Sequence, residues 1–244
     1  MSAKLHQWLA NVLAMPHWSN QHAASGTRHN SHEDALAREL DAIGFQEDIH
    51  VSFPSGQTKK KKKVLKYPAL KRAALMRAAQ LTGSARQKAI ASLVPGMVPG
   101  TYIRQPAGSQ SFPDFLICDF SGKFVLVEAK SGSGGNPVWN DSLPKKDSIY
   151  IMSSGKYDRT TCWLGQDWIS DAELAIFDNL YHIIDAAVVQ ANQQLKTLDH
   201  FHRGWQFYSR KKHQQGGLVE WTDPYRHADQ LQCEANALAF AKAQ

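Results

Sequence analysis

The spacing of apolar residues changes character at Thr101, from helical periods before it to short apolar runs after it. The opening stretch, MSAKLHQWLANVLAMPHW, has an apolar run broken by Gln7, Trp8 and Asn11 and no small-residue cleavage site behind it. It reads as an amphipathic first helix and not as a leader. A polar loop over 19–30 leads into SHEDALARELDAIGF, where Ser31 followed by Asp34 resembles a capping box and Gly44 is a stop. That predicts a helix over about 32–43. Residues 67–93 are rich in Ala, Leu, Lys and Arg and predict one or two basic helices broken near Thr82 and Gly83. Pro95, Gly96, Pro99 and Gly100 end them.

Beyond that point TYIRQ (101–105), DFLICDF (114–120), KFVLVEAK (123–130) and SIYIMSS (148–154) read as strands, with a tight turn at Ser121 and Gly122. FLIC and FVLV are continuously apolar, the pattern of central strands covered on both faces. Ser170 with Glu173 forms a second capping box and starts a long helix reaching about Lys196. WQFYSR (205–210) reads as a late strand, and Asp223 with Pro224 opens a C-terminal helix. Strands set between helices predict an α/β fold, a central mixed sheet flanked by helices. One domain is expected over 1–244, with a basic helical insertion at about 57–98.

Composition changes this picture little, and charge placement changes it more. Lys and Arg number 28 against 22 acidic residues, a net charge of +6 that favours a polyanionic partner. The run Lys59, Lys60, Lys61, Lys62 and Lys63, followed by Lys66, Lys71, Arg72, Arg77, Arg86 and Lys88, concentrates that charge just before the strands. Cys118, Cys162 and Cys233 lie far apart with no CxxC pair, which reads as reduced thiols in a cytoplasmic protein. No stretch approaches the ~18 apolar residues of a membrane span, so no membrane partner is expected. No phosphate-binding GxxxxGK[ST] loop occurs, which disfavours ATP-driven chemistry.

The informative segment is SFPDFLICDFSGKFVLVEAKSG. Asp114 begins one strand, while Glu128 and Lys130 end the next on a shared face, with Ala129 on the other. Two carboxylates and a lysine then converge at one end of an apolar sheet. Burying such charges without a partner costs several kcal/mol each. A hard cation, Mg2+ with Mn2+ as a substitute, would relieve that cost using carboxylates, the Ala129 carbonyl, waters and substrate phosphate. Lys130 would then orient or deprotonate a water. The plainer alternative makes Asp114 a turn residue after Pro113 and 128–130 a strand end. Glu33 borders the apolar stripe of the second helix, with Leu36, Leu40 and Ile43, and is the candidate third carboxylate. Otherwise it is a first-turn Glu favoured by the helix dipole. Glu39 is the other candidate.

Pro113-Asp114, thirteen intervening residues, then Glu128-Ala129-Lys130 resemble the PD-(D/E)XK nuclease superfamily. The wider block YIRQPAGSQSFPDFLI, VEAKSG and NDSLPKKDSIYIMSSGK is similar to type II restriction endonucleases, with Ser109 and Gln110 in the turn before Pro-Asp. The resemblance covers about 101–170. It implies a restriction-endonuclease-like core, metal on Asp114 and Glu128, catalysis by Lys130 and hydrolysis of double-stranded DNA to 5′-phosphate ends. It also implies a cognate DNA methyltransferase as functional partner. Palindromic sites match two-fold symmetry, so a homodimer is expected.

In that frame the lysine run would grip the DNA backbone without reading sequence. Ser131 and Ser133 are placed to bond phosphate. Asn140, Asp141 and Lys145 carry groups that read base edges, and Lys156 and Arg159 are further DNA contacts. Trp139 either anchors that loop, stacks, or packs. RKKHQQGG (210–217) is a further candidate arm. His29, Asn30 and His32 hint at a His-Asn-His nuclease, but the hairpin-and-helix setting is absent, so the histidines read as surface or packing residues. Two other readings stay open, a repair or structure-selective nuclease and a non-catalytic DNA-binding module.

Overall fold

The computed structural model describes residues 3–17, 31–52, 64–108, 111–139, 143–198, 204–207 and 222–244. Its centre is a six-stranded mixed sheet in the order β1-β4-β5-β6-β7-β8. These strands are β1 (Gln46–Glu47), β4 (Thr101–Arg104), β5 (Phe115–Cys118), β6 (Phe124–Gly132), β7 (Ser148–Ser154) and β8 (Arg159–Leu164). β1 runs parallel to β4 and β6 parallel to β7, whereas β4-β5, β5-β6 and β7-β8 are antiparallel. β2 (Val51–Ser52) and β3 (Val64–Leu65) form a separate ribbon.

The strand period of two divides the core into halves. Odd positions Phe115, Ile117, Val125, Val127, Ile149 and Ile151 pack with Leu5, Trp8, Leu9, Leu36 and Leu40. Those partners come from α1 (Ala3–Leu13) and α2 (Ser31–Ala42). On α1 the buried residues Leu5, Trp8, Leu9 and Val12 follow i, i+3, i+4, i+7 spacing, one apolar stripe of a helix. Trp8 Nε1 donates to the Leu36 carbonyl at 3.2 Å and joins the two helices. Even positions Leu116, Cys118, Leu126, Tyr150 and Met152 pack instead with Leu75, Ala78, Ala79 and Ile90. These belong to α3 (Arg72–Ala79) and α4 (Gly83–Leu93). The expected basic helices therefore exist, and their apolar sides pack into one of the two core clusters.

At the closed end of the β5–β6 hairpin, one Asp119 carboxylate oxygen accepts from Ser121 N–H (2.9 Å), Ser121 Oγ (2.8 Å) and Lys123 N–H (2.8 Å). Gly122 closes the turn at φ +84°, a conformation that a side chain would strain. The hairpin is thus strongly registered, with Phe115 opposite Val127 as its outermost pair.

Three expectations need correction. No strand is expected between SIYIMSS and the Ser170 helix, yet β8 begins at Arg159, because Thr160–Leu164 are buried against β7. Of the strand expected over 205–210, residues 205–207 form none and 208–210 lie outside the described residues; Phe207 exchanges two hydrogen bonds with the Asn192 side chain (2.6 and 3.0 Å) in place of a ladder. The C-terminal helix α6 (Gln230–Ala243) does not start at Asp223. Asp223 is fully buried, accepting from Tyr157 OH (2.6 Å) and Tyr225 N–H (3.0 Å), so its carboxylate anchors a loop instead of capping a helix. A Cβ at Gly135 would lie 2.3 Å from that carboxylate, which requires glycine there.

Between β8 and α6 runs α5 (Asp171–Thr197), opened by the Ser170–Glu173 capping box. None of its residues is buried. The three cysteines are free and buried, and among the described residues no helix is long and apolar enough to cross a membrane.

Candidate active site

One step beyond the Phe115–Val127 pair, the hairpin register sets Asp114 opposite Glu128. Both side chains follow the Leu116 and Leu126 side of the sheet, as does Lys130. Asp114 Oδ2 accepts the Ala129 N–H at 2.8 Å. The N–H and C=O of one strand residue face the same neighbour, so the Ala129 carbonyl also faces the Asp114 side. Lys130 Nζ donates to Glu128 Oε1 at 2.7 Å and lies 5.5 Å from the Trp139 ring centroid. Trp139 is buried against Tyr150, edge to face, with ring centroids 5.5 Å apart. Of the alternatives open for Trp139, packing describes it, with Lys130 over its face.

The third carboxylate arrives from the other side of the sheet. Glu33, in the first turn of α2, is 7% exposed and accepts from Gln105 Nε2 at 2.9 Å. Gln105 also donates its N–H to the Asp114 carbonyl at 2.7 Å, with φ at +45°. One residue thus joins the helix carboxylate to the strand carboxylate. Glu39 accepts from Asn11 at 3.4 Å on the α1 side. Asp34 takes Arg104 Nη1 at 2.7 Å, and Arg104 also holds Glu47 at 2.9 Å.

Charge is crowded here. Burial pushes the Asp114 carboxyl well above the usual carboxylate range, and the charges of Glu128 and Glu33 push it further. The Ala129 N–H and Lys130 oppose that shift without cancelling it. Burial also raises Glu33, against the Gln105 hydrogen bond and with Glu128 and Asp34 adding. Glu128 Oε2 is buried with no hydrogen-bond partner among the described residues. An anionic oxygen left bare beside two other carboxylates is the chemistry a divalent cation satisfies. Among the described residues no three His, Cys, Asp or Glu side chains form a ready metal cage. Asp114, Glu128 and the Ala129 carbonyl would supply the protein ligands, which suits Mg2+, an ion that keeps waters and takes substrate phosphate.

The remaining described site candidates do not join this cluster. Lys59, Lys60, Lys61, Lys62, Lys63, Ser109, Gln110, Asn140 and Asp141 lie outside the described residues. β6 runs two residues further than expected, so strand alternation puts Ser131 on the face opposite Glu128 and Lys130. Ser133 is exposed beyond the strand end. Lys145 is half-buried, and burial lowers its pKa, which fits an ammonium held inside better than one reading base edges. Its N–H donates to Tyr150 OH at 2.8 Å. Lys156 stands 3.8 Å from Asp223, and Arg159 stands 3.9 Å from Glu234.

Arg86 leaves the basic patch altogether. It is buried and donates to the Leu81 carbonyl (2.6 Å), the Ala79 carbonyl and Ser148 Oγ (3.3 Å), cementing α3 and α4 to β7. His32 is buried too, and burial lowers it to about 4, so it is a neutral packing residue. Gln105 is the functional candidate that sequence reading missed. Its only signal is its place at the end of the TYIR strand. Comparisons of the chain with protein-family models, with curated proteins and with solved structures find no match.

Proposed function

We propose that the protein is a Mg2+-dependent endonuclease of the type II restriction kind, hydrolysing phosphodiester bonds of double-stranded DNA at a specific site. The observation that carries this reading is the convergence at one sheet end of Asp114, Glu128 and Glu33, with a bare Glu128 oxygen and a single lysine. A structural ion pair would bring one carboxylate for one lysine. Here like charges are gathered where burial disfavours them, an arrangement that a divalent cation would relieve.

A bound Mg2+, or Mn2+ in its place, would neutralise charge on the scissile phosphate and acidify a water. Asp114 and Glu128 would hold that ion with the Ala129 carbonyl. Lys130, pinned between Glu128 and the Trp139 face, would position the attacking water and stabilise charge on the phosphorane oxygens. Glu33, oriented by Gln105, would add a third carboxylate able to accept a hydrogen bond from a water of the site. Water attack on phosphorus with cleavage of the P–O3′ bond, the leaving 3′ oxygen taking a proton from solvent, would leave a 5′-phosphate and a 3′-hydroxyl. The lysine run would grip the backbone, two copies would cut the two strands, and a cognate DNA methyltransferase would protect host sites.

Incubating the protein with phage DNA and Mg2+, then sequencing the ends, tests this directly. Discrete fragments with 5′-phosphate ends are expected, with cutting abolished by EDTA, restored by Mg2+ or Mn2+ and poorly supported by Ca2+. Undiminished cutting in EDTA overturns the mechanism. A smear or junction-limited cutting replaces the restriction reading with a repair nuclease, and intact DNA reduces the protein to a binding module.

A further inference from the structure

α5 is the one described helix with an uncovered apolar side along much of its length. Leu174, Phe177, Tyr181, Ile184, Val188 and Ala191, spaced alternately three and four apart, are half-buried. Beside them a second stripe, Ile176, Leu180, Ile183 and Ala187, is open to solvent, with Ile176 69%, Leu180 47% and Ile183 60% exposed. The spacing of four, three and four keeps these residues within a narrow arc of the helix. Asp178, His182 and Asp185 fall on the far side, so the stripe carries no charge. A monomer seldom leaves a large contiguous apolar patch on its surface without a partner.

We propose that this stripe binds a second copy of the chain, with two α5 helices crossing antiparallel about a two-fold axis near Tyr181 and His182. The stripe is complementary to itself in size. That axis sets Ile176 against Ala187 of the copy and Leu180 against Ile183, so each large side chain meets a small one or one of similar bulk. It is also compatible with itself in charge. Antiparallel packing separates the acidic first turn, Asp171 and Glu173, from its copy, whereas parallel packing would stack these carboxylates together. Isologous contacts of this kind close a dimer and leave no open end. At ~1.5 Å per residue the stripe from Ile176 to Ala187 is about 17 Å long and would form the apolar centre of the interface, with the flanking turns of the helix as its rim.

The proposal needs neither DNA nor metal, so its outcome is independent of whether the protein cuts DNA. Sedimentation of the full chain at micromolar concentration is expected to give twice the 27.2 kDa chain mass. The double variant Ile176→Glu, Ile183→Glu is expected to sediment as a monomer with unchanged circular dichroism, since both positions are exposed. Because Cys118, Cys162 and Cys233 are buried, added surface cysteines can be cross-linked selectively. Chains with Leu180→Cys mixed with chains with Ile183→Cys should form a disulfide-linked dimer on mild oxidation, and Ile176→Cys should not link to its own copy. A monomeric wild type, a glutamate variant that stays dimeric, or an Ile176→Cys self-link overturns the proposal.

Discussion

The two ends of the β5–β6 hairpin each hold an aspartate, fully buried at one end and half-buried at the other, and they treat it in opposite ways. At the closed end, one oxygen of Asp119 collects three donors from Ser121 and Lys123 within a single turn, while its second oxygen has no hydrogen-bond partner among the described residues. At the open end, Asp114 takes one N–H from Ala129 and faces Glu128 and Glu33, whose charges raise it. The closed end uses a carboxylate to hold a turn. The open end holds carboxylates against their own repulsion, which the rest of the fold must offset. A buried charge that improves stability and one that lowers it differ in their donors and neighbours, not in residue type. The destabilised end is the one that points to chemistry.

Substituting the open end is the strongest way to break this comparison. Asp114→Ala, Glu128→Ala and Lys130→Ala are each expected to cut cleavage at least ~100-fold, since one charge-stabilising group contributes ~3–4 kcal/mol to a transition state. Thermal melting should show no loss for Asp114→Asn, because the variant removes a repelled charge. Wild-type cleavage by any of these variants removes that residue from the mechanism. At the closed end the expected result is the reverse. Asp119→Ala strips three donors of their acceptor and should destabilise the fold by ~1–3 kcal/mol in denaturant titrations, with catalysis per folded molecule retained.

Gln105 sharpens the comparison at smaller amplitude. Gln105→Ala releases Glu33 without removing a carboxylate and should weaken Mg2+ binding roughly 10-fold by calorimetry, as losses of ligand-orienting groups do. Unchanged affinity would leave Gln105 a packing residue.

The same crowding also shows in pH dependence. Asp114 has a folded pKa above its unfolded one, so the folded state binds the extra proton. Its contribution to stability is fully present below the unfolded value of about 4 and is lost as pH rises toward the folded value, by at most ~1.4 kcal/mol per pH unit. Asp114→Asn should flatten the fall in stability above that pH in metal-free buffer, and saturating Mg2+ should flatten it in the wild type. Identical pH slopes for wild type and variant would contradict the crowding of the carboxylates.

Much of the chain's local structure was legible without a fold. The apolar runs FLIC and FVLV became the fully buried β5 and the buried half of β6, because a central strand excludes polar side chains from both faces. Ser170 and Glu173 marked the start of α5, because a cap is satisfied within four residues. Glu128 and Lys130 shared a face for the same local reason, the alternation of the pleat. Long-range relations were decided only by the tertiary structure. That Gln105 joins Glu33 to Asp114, that Arg86 serves the core and that Asp223 anchors a loop depend on residues far away in sequence. Propensity and periodicity describe neighbours along the chain; whether a charge is paired, buried or left bare depends on what the fold packs against it.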